Sequence, residues 1–568
     1  MQIRFLAPLV FIVVIAVSCS KTNKEGKYIP EDAAIAIHVN GASLSTKLPW
    51  DEIKNNELVK ELSADTSLTT FVKQALDNPD NTGIDVKTDM AFFLKKDSLG
   101  GYAAFTGTIK DADKFHFFNL DIAKGGIESE RDGVNFISKY PVCIAWNKEK
   151  FVYLTNIPEL SAMNYKRNFY DSTVAITSSR DISKTCKDVF DLKEDKSLAK
   201  NEKFTELVKK TGDLHFWMNS EELYKNGAST AGLKMLNLDI DKLYKGNITT
   251  AAVNFENGKI QIESKSYASK EITELWKKYG SKLDESMIKR LPAKDVALVV
   301  AMSFKPEGIK ELVKLMGVEG YANMGLAFMG FTLDDFVKAN KGDIVFAISD
   351  FKKPDTTAGG MEAVSAFSLP NKPTFLFAAS VGDKDAFNKL MKAGERLGQT
   401  MGHISDSGSQ NNIAFDNNGS YFAIGNSKEN VDKFVTGGSN NFDFLSKISG
   451  QSFGGYINIQ YILKSFASEA EKDSSAKAAY DASVAFWDNA YMKGGDYSDG
   501  GMTASYEINL MDKNTNSLKQ LNQYFGKLSA IAKKEKEKRK NEMAGMNDDI
   551  KFTPPVIAED TPVKTKSK

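Results

Sequence analysis

Ile144-Ala145-Trp146, followed by Phe151-Val152-Tyr153-Leu154-Thr155-Asn156, forms two short apolar runs joined by the polar insert 147–149. A near-copy occurs later in the chain, where Ile413-Ala414-Phe415 is followed by Tyr421-Phe422-Ala423-Ile424-Gly425-Asn426. Two apolar runs of this length around a turn-forming insert predict a β-hairpin. Because the hairpin recurs, the sequence predicts two tandem homologous copies of one unit.

The similarity extends to both sides of the hairpin. The apolar runs 33–39 and 296–302 open the two copies as predicted strands, and helical spacing follows each run. Later in each copy a strand ends just before an aspartate, Asp111 or Asp383, which we expect to cap the next helix. Hairpins and helices thus alternate irregularly. This pattern predicts an α+β fold, each copy being a mainly antiparallel sheet with helices packed on it.

The chain of 568 residues is long enough for two such copies and short flanking segments. The predicted parts are a lipoprotein signal peptide at 1–18, a tether at 19–27, a first α+β copy at 28–280, a second copy at 290–530, and a charged helix end with a tail at 531–568.

The N-terminus has the layout of an export signal. Arg4 precedes the apolar run 5–17, which is too short to cross a bilayer as a stable helix. The residues 16–18 before Cys19 resemble a bacterial lipobox, although alanine stands at position 16 where leucine is usual. This resemblance implies cleavage before Cys19 and lipid attachment to its thiol. The alternative is an ordinary secretory signal with an incidental cysteine.

Location and partners follow from the N-terminus and from the charge. No acidic cluster follows Cys19, which favours the outer membrane facing the periplasm over the cell surface. We predict contact with the membrane through the lipid anchor, and an envelope protein is a further expected partner. Because 74 basic and 74 acidic residues cancel, no nucleic-acid partner is predicted.

Motifs for catalysis and metal binding are weak. Ser197-Leu198-Ala199-Lys200 and Lys210-Thr211-Gly212 have the forms found in penicillin-binding sites, but they lie too close together in sequence. The histidines have no zinc-binding companion at three or four residues; they are His38, His116, His215 and His403. We therefore predict no catalytic residue, no cofactor and no metal ligand.

Three further stretches leave alternatives open. The segment 78–89 has oxygen-bearing residues at the spacing of a calcium loop but lacks the bidentate glutamate, so a plain turn is favoured. Cys143 and Cys186 either form a disulfide in an oxidising compartment or stay as two buried free thiols. Residues 316–331 mix methionine, aromatics and glycine, which suits either an apolar ligand groove or a helix packed over the sheet.

The opening Tyr28-Ile29-Pro30-Glu31-Asp32-Ala33-Ala34-Ile35-Ala36-Ile37-His38-Val39-Asn40 follows the lipobox closely. It resembles the start of an uncharacterised family of Bacteroidota lipoproteins that carry a domain of unknown function of the 4836 type. The resemblance implies an envelope lipoprotein with an α+β ectodomain and no assigned reaction. It supplies no functional residues to transfer to this chain.

The sequence thus predicts a lipid-anchored envelope lipoprotein with a duplicated α+β ectodomain and a non-catalytic role in binding or scaffolding. One alternative is a periplasmic carrier of an apolar ligand. The other is an envelope hydrolase whose catalytic triad is assembled from residues distant in sequence.

Overall fold

The computed structural model describes residues 26–65, 68–157, 180–224, 241–293, 295–352, 372–402 and 413–549. In these residues the strands form one sheet of 18 strands. The strands are β1 (Ile35–Val39), β2 (Met90–Asp97), β3 (Gly100–Thr108), β4 (Ile127–Arg131), β5 (Val134–Lys139), β6 (Val142–Trp146), β7 (Lys150–Asn156), β8 (Leu214–Asn219), β9 (Ile248–Glu256), β10 (Lys259–Tyr267), β11 (Val296–Ser303), β12 (Asn340–Lys352), β13 (Lys372–Val381), β14 (Ala414–Asn417), β15 (Tyr421–Gly425), β16 (Phe453–Ile457), β17 (Trp487–Ser498) and β18 (Gly501–Leu510).

The helices of the described residues lie between and after these strands. They are α1 (Gly41–Lys47), α2 (Trp50–Lys54), α3 (Glu57–Ala64), α4 (Thr70–Asp77), α5 (Ala112–Ile122), α6 (Ile182–Phe190), α7 (Glu202–Lys209), α8 (Ser220–Tyr224), α9 (Asp241–Tyr244), α10 (Lys270–Tyr279), α11 (Glu285–Lys289), α12 (Glu307–Leu315), α13 (Glu319–Phe328), α14 (Leu333–Ala339), α15 (Lys384–Gly402), α16 (Lys428–Thr436), α17 (Leu445–Ile448), α18 (Ile459–Ser465), α19 (Ala467–Ala470), α20 (Ser474–Val484) and α21 (Ser517–Asp549).

All neighbouring strands pair antiparallel, in the order β4-β5-β6-β7-β3-β2-β1-β8-β9-β10-β18-β17-β16-β11-β12-β13-β15-β14. The α+β class with a large antiparallel sheet is therefore confirmed. Outward from the central β10–β18 pair, the eight strands of the second half (β11 to β18) follow the same order as the first eight of the first half, and β5 and β4 of the first half have no counterpart among the described residues. This is the arrangement that a tandem duplication requires. Common descent of the two halves stays a prediction.

The two hairpins predicted from the repeated motif are present. In the first, Trp146 pairs with Phe151 across β6 and β7. Their turn is closed by Asn147, whose side-chain oxygen accepts hydrogen bonds from the two backbone N–H groups that precede and begin β7. Asn418 makes the same pair of contacts in the second hairpin, formed by β14 and β15. An asparagine that folds back on its own turn is thus common to both.

The central strands of the first half are buried on both faces. On one face, Phe93 and Trp217 pack beneath α6 and α7 in a core that includes Phe204. On the other face, Phe105 and Phe115 form a second core, to which α5 contributes Phe115. Burial on both sides explains why these strands are continuous apolar runs instead of alternating ones.

The second half has one large core and one small one. Its large core is formed by the strands together with α11, α16 and α17, and contains Met287, Phe434 and Ile448. On the other face, α15 covers a smaller cluster that includes Phe387. In the described part of the chain, no helix is long and apolar enough to cross a membrane.

The junction of the halves is built from β18 and the β9–β10 hairpin, which turns at Asn257-Gly258. Gly258 has a φ of +68°, a left-handed conformation that glycine adopts without strain. A Cβ at this position would lie 2.5 Å from the Cα of Lys513, so the close approach of the β18–α21 loop also requires glycine. At the far end, the predicted boundary at 530/531 lies inside α21, a single helix that ends at Asp549.

Glu507 of β18 joins the halves electrostatically. Its carboxylate accepts hydrogen bonds from Lys447 at 3.0 Å, from Asn509 at 3.0 Å and from Lys259 of β10 at 3.3 Å. Burial alone would raise the pKa of Glu507, but the hydrogen bonds from Asn509 and Lys447 and the two lysine charges outweigh it. The resulting pKa is about 2.

This low pKa makes the stability of the junction pH-dependent. A carboxyl whose pKa is lower in the folded state stabilises the fold above its unfolded-state pKa near 4.5, and this contribution is lost as the pH falls towards about 2. Because the side chain is 26% exposed, the shift is discounted to about 1–2 kcal/mol. In urea unfolding, the stability difference between the wild type and Glu507→Gln should therefore be smaller at pH 3 than at pH 7. Parallel pH profiles for the two proteins would contradict the assignment.

Candidate functional site

The predicted site residues fall in different parts of the molecule. Cys19, the predicted lipid attachment site, and His403 lie outside the described residues. Cys143 on β6 and Cys186 on α6 are both buried free thiols. The Cys186 thiol donates a hydrogen bond to the backbone carbonyl of Cys143 at 3.7 Å, and Ser138 Oγ lies 3.1 Å from Cys143 Sγ. The structure thus brings the two cysteines together, and a disulfide between them stays a prediction.

The two thiols have opposite acid–base character. The hydrogen bond with Cys186 lowers the pKa of Cys143 below its ordinary value. Burial raises the pKa of Cys186 well above its ordinary value. The thiolate, which is the reactive form of cysteine, is therefore more accessible at Cys143 than at Cys186.

The serine–lysine motif serves a local turn. Ser197 donates its hydroxyl hydrogen bond to the carbonyl of Glu194, and Lys200 pairs with the Glu194 carboxylate at 3.0 Å. Ser197 also forms an isolated β-bridge with Pro30. Both members of the motif are thus engaged in holding the segment that precedes α7.

The segment 78–89 also forms a turn. Asn78 caps a short 3₁₀ helix at Pro79–Thr82 by accepting a hydrogen bond from the N–H of Asp80, and the Asp80 carboxylate pairs with Lys110. Among the described residues, no group of three or more histidine, cysteine, aspartate or glutamate side chains could hold a metal ion.

His38 and His215 form the most unusual polar contact in the sheet. The two residues face each other directly across the β1–β8 pair, and both are buried. Their Nδ1 atoms lie 3.1 Å apart. His215 Nε2 lies 3.0 Å from the Lys210 carbonyl, so this nitrogen must donate. A neutral His215 then accepts at Nδ1, and His38 donates to it.

The surroundings of the two rings differ. Burial lowers the pKa of His215 below its ordinary value, which favours its neutral form. His38 Nε2 makes no hydrogen bond among the described residues; Asp89 Oδ2 lies 3.4 Å from it. The third described histidine, His116, lies on α5 and donates a hydrogen bond to the Glu128 carboxylate at 2.8 Å.

Asp213 is the centre of the polar contacts beside the histidine pair. It is fully buried, and its carboxylate accepts hydrogen bonds from Ser43 Oγ at 2.5 Å, from Lys47 Nζ at 2.7 Å and from the Phe255 backbone N–H at 2.6 Å. These bonds tie α1 to the strands β8 and β9. Ser43 thus holds α1 in place through its hydrogen bond to Asp213.

Asp213, Ser43 and Lys47 were not among the site residues predicted from the sequence. The available signal was an acidic residue directly before a strand that contains an apolar run and a histidine, Asp213-Leu214-His215. A buried charge needs partners, but sequence alone does not show which residues supply them.

A solvent-open cleft of about 230 Å³ lies at the beginning of β1. Its charged side chains pair across it, Lys95 with Asp32 at 2.8 Å and Lys196 with Glu31 at 3.6 Å. Tyr102, at the base, has a pKa that burial raises. Asp188 also lines the cleft and pairs with Lys184 at 3.0 Å, so each charged side chain of the lining has a partner of opposite sign.

The segment 316–331 forms helix α13 and the turns that flank it. Tyr321, Met324 and Phe328 are 55%, 57% and 86% exposed, respectively. Their spacing of three and four residues places them on one side of the helix. We call these three side chains the apolar face of α13. It is the candidate binding surface of this molecule.

Comparisons with known proteins give one family and no function. A family model described as "Domain of unknown function (DUF4836)" matches residues 26–419. Two solved structures, crystal forms III and I of TP0453, are similar to part of the chain at 7% and 8% identity with TM-scores of 0.26 and 0.25. Each covers 44% of this chain, and 82% and 81% of the respective TP0453 chains. TM-scores this low support no inference. No curated protein matches the chain.

Proposed function

The chain belongs to the DUF4836 family, and from that premise we propose that it is a lipid-anchored protein of the cell envelope that binds or scaffolds and does not catalyse. Lipid on Cys19 holds it at the outer membrane, with the folded body on the periplasmic side. The apolar face of α13 is the surface through which it binds.

The observation that carries this proposal is the exposure of that face. Large apolar side chains exposed together on one helix are uncommon on a soluble surface and mark interaction sites. Phe328 alone is 86% exposed. By contrast, the polar groups that could have suggested catalysis hold elements of the fold together: Ser197 closes a turn, and Asp213 fastens α1 to the sheet.

The lipid anchor is supported by the layout of residues 1–19, in which an apolar run precedes a cysteine. Two or more acyl chains on one residue bury enough methylene groups for stable membrane attachment. The folded body then needs no membrane-spanning segment of its own to remain in the envelope.

Cys19→Ser tests the anchor. In cells of the native host, wild-type protein should fractionate with membranes, and its N-terminal peptide should carry the mass of acyl chains on Cys19. The variant should lose the acyl mass completely, because serine offers no thiol to modify. Ser20→Ala, which leaves the cysteine in place, is the matched control. An unmodified N-terminal peptide in the wild type would refute the anchor.

A further inference from the structure

The apolar face of α13 has no protein cover among the described residues. Neither α12 nor α13 contains a buried side chain. A Cβ built on Gly320 or Gly325 of α13 would meet no atom of the described residues within 4 Å, the backbone of its own helix aside. The only charged residue of α13 is Glu319, at its first position. The helix therefore presents apolar side chains and bare backbone to its surroundings.

The opposite side of α13 fixes the direction in which this face points. Asn323 Oδ1 accepts a hydrogen bond from the backbone N–H of Leu333 at 3.2 Å, which holds α13 against the start of α14. Phe331 and Leu333 are buried, and they secure the connection between the two helices. Because Asn323 faces α14, the apolar face points away from the body of the protein.

The N-terminal segment that carries the proposed anchor begins a path of contacts towards α13. Asp32, just before β1, pairs with Lys95 on β2 at 2.8 Å. The next residue on that strand, Lys96, donates a hydrogen bond to the carbonyl of Leu223 in α8 at 2.7 Å. The start of the described chain and α8 therefore lie at the same end of the sheet.

The path continues from α8 to the second half of the protein. The rings of Tyr224 and Tyr244 lie 5.8 Å apart and join α8 to α9. From α9, Lys242 donates to the carbonyl of Leu315, the last residue of α12, at 3.5 Å. Helix α13 begins four residues later, at Glu319. The strand pairings support this path. They place the start of β1 and the end of β11, which α12 and α13 follow, at the same end of the antiparallel sheet.

The connection between Cys19 and the folded body is short. Residues 20–25 separate the cysteine from Gly26, the first described residue. Even fully extended, this stretch spans no more than about 25 Å. A lipid on Cys19 would thus keep the Gly26 end of the molecule close to the bilayer surface, and α13 belongs to that end.

We infer that the apolar face of α13 inserts into the surface of the phospholipid bilayer to which the chain is anchored, so that the body is docked on the membrane in one orientation. The inference rests on the proposed lipid anchor. A helix with aromatic and aliphatic side chains on one side can lie in the interface with that side among the acyl chains. The lysines of the adjoining α12 are neutralised, Lys310 by Asp334 and Lys314 by Glu311. Binding is therefore hydrophobic and does not require anionic lipid.

Vesicle flotation tests this inference without the anchor. The chain from Ser20 to Lys568, which lacks signal and lipid but keeps every described residue, is mixed with phosphatidylcholine vesicles at low and at high salt. It should float with the vesicles under both conditions. Phe328→Glu, or Met324→Glu as a second variant, should weaken binding by a factor on the order of ten or more, because each replaces an inserted apolar side chain by a charge.

Phe117→Glu is the matched control. Phe117 is 57% exposed and lies on α5, which follows the Thr108 end of β3 and so projects from the opposite end of the sheet. The same substitution there should leave flotation unchanged, and all variants should keep the thermal unfolding temperature of the parent chain.

Three results of the flotation experiment would overturn the inference. These are no flotation of the parent chain, equal loss with Phe117→Glu, and binding that disappears at high salt or needs anionic lipid. A dimer that Phe328→Glu dissociates in the absence of vesicles would also overturn it, since the face would then bind a second copy. The acyl mass on Cys19 is measured separately, so failure of the anchor is distinguishable from failure of the helix.

Discussion

Replacing Asp213 by alanine is expected to lower the free energy of unfolding by about 3–5 kcal/mol. The carboxylate is fully buried and accepts hydrogen bonds from Ser43, Lys47 and the backbone of Phe255. Its removal leaves a hydroxyl, an ammonium group and an N–H without their acceptor. A buried donor that loses its partner costs more than the hydrogen bond contributes while it exists. Urea unfolding followed by circular dichroism measures this loss.

Two variants show whether the buried acceptor is the cause. Asp213→Asn keeps the shape but removes the charge opposite Lys47, so it should lose less than the alanine variant. Asp51→Ala removes an aspartate that is 85% exposed and pairs with Lys54 one helical turn away. An exposed pair of this kind contributes no more than about 0.5 kcal/mol. Equal losses for Asp213→Ala and Asp51→Ala would show that the three contacts do not matter for stability.

Replacing Arg180 by alanine is expected to cost about 3 kcal/mol. Its buried guanidinium donates to both carboxylate oxygens of Asp97, at 2.7 and 2.6 Å, and to the side chain of Asn156 at 2.6 Å. It also lies 5.4 Å from the centre of the Tyr102 ring. The arginine thus joins the chain at the start of α6 to the ends of β2 and β7.

The pKa of Asp97 reports the same contact. Burial alone would raise this pKa, but the hydrogen bond from Arg180, the Leu99 N–H and the arginine charge together lower it below its ordinary value. Arg180→Ala should therefore raise the Asp97 pKa, which NMR titration of the carboxyl measures.

Arg180→Lys is the control for the stability loss. Lysine keeps the charge but cannot form the bidentate hydrogen bonds to Asp97, so this variant should recover only part of the stability. A loss below about 0.5 kcal/mol for the alanine variant would contradict this assignment.

Local patterns in the sequence were sufficient to predict the turns and the helix caps. Asp111 caps α5 by accepting from the N–H groups of Asp113 and Lys114, as predicted from its position after a strand. Asp383 accepts from the N–H of Ala386 at the start of α15 in the same way. Caps and two-residue hairpins depend on side chains within three or four positions, so the residue types and their spacing contain the necessary information.

Contacts between residues that are far apart in the sequence could not be predicted from local patterns. Asp213 and Ser43 are separated by 170 positions, and His38 and His215 by 177. His38 lies in the predicted strand 33–39, but its pairing with His215 depends on β1 lying next to β8. A single sequence does not encode strand adjacency in any local pattern, because many sheet orders satisfy the same alternation of apolar residues.

Residue types and their short-range spacing were enough to predict the α+β class, the repeated hairpin, the helix caps and the apolar character of residues 316–331. The folded structure was needed to show that β10 and β18 join the halves into one sheet, that Asp213 accepts hydrogen bonds from three groups, and that the apolar face of α13 has no cover among the described residues. The burial of a side chain depends on the residues that contact it. For residues far apart in sequence, these contacts form only when the whole chain has folded.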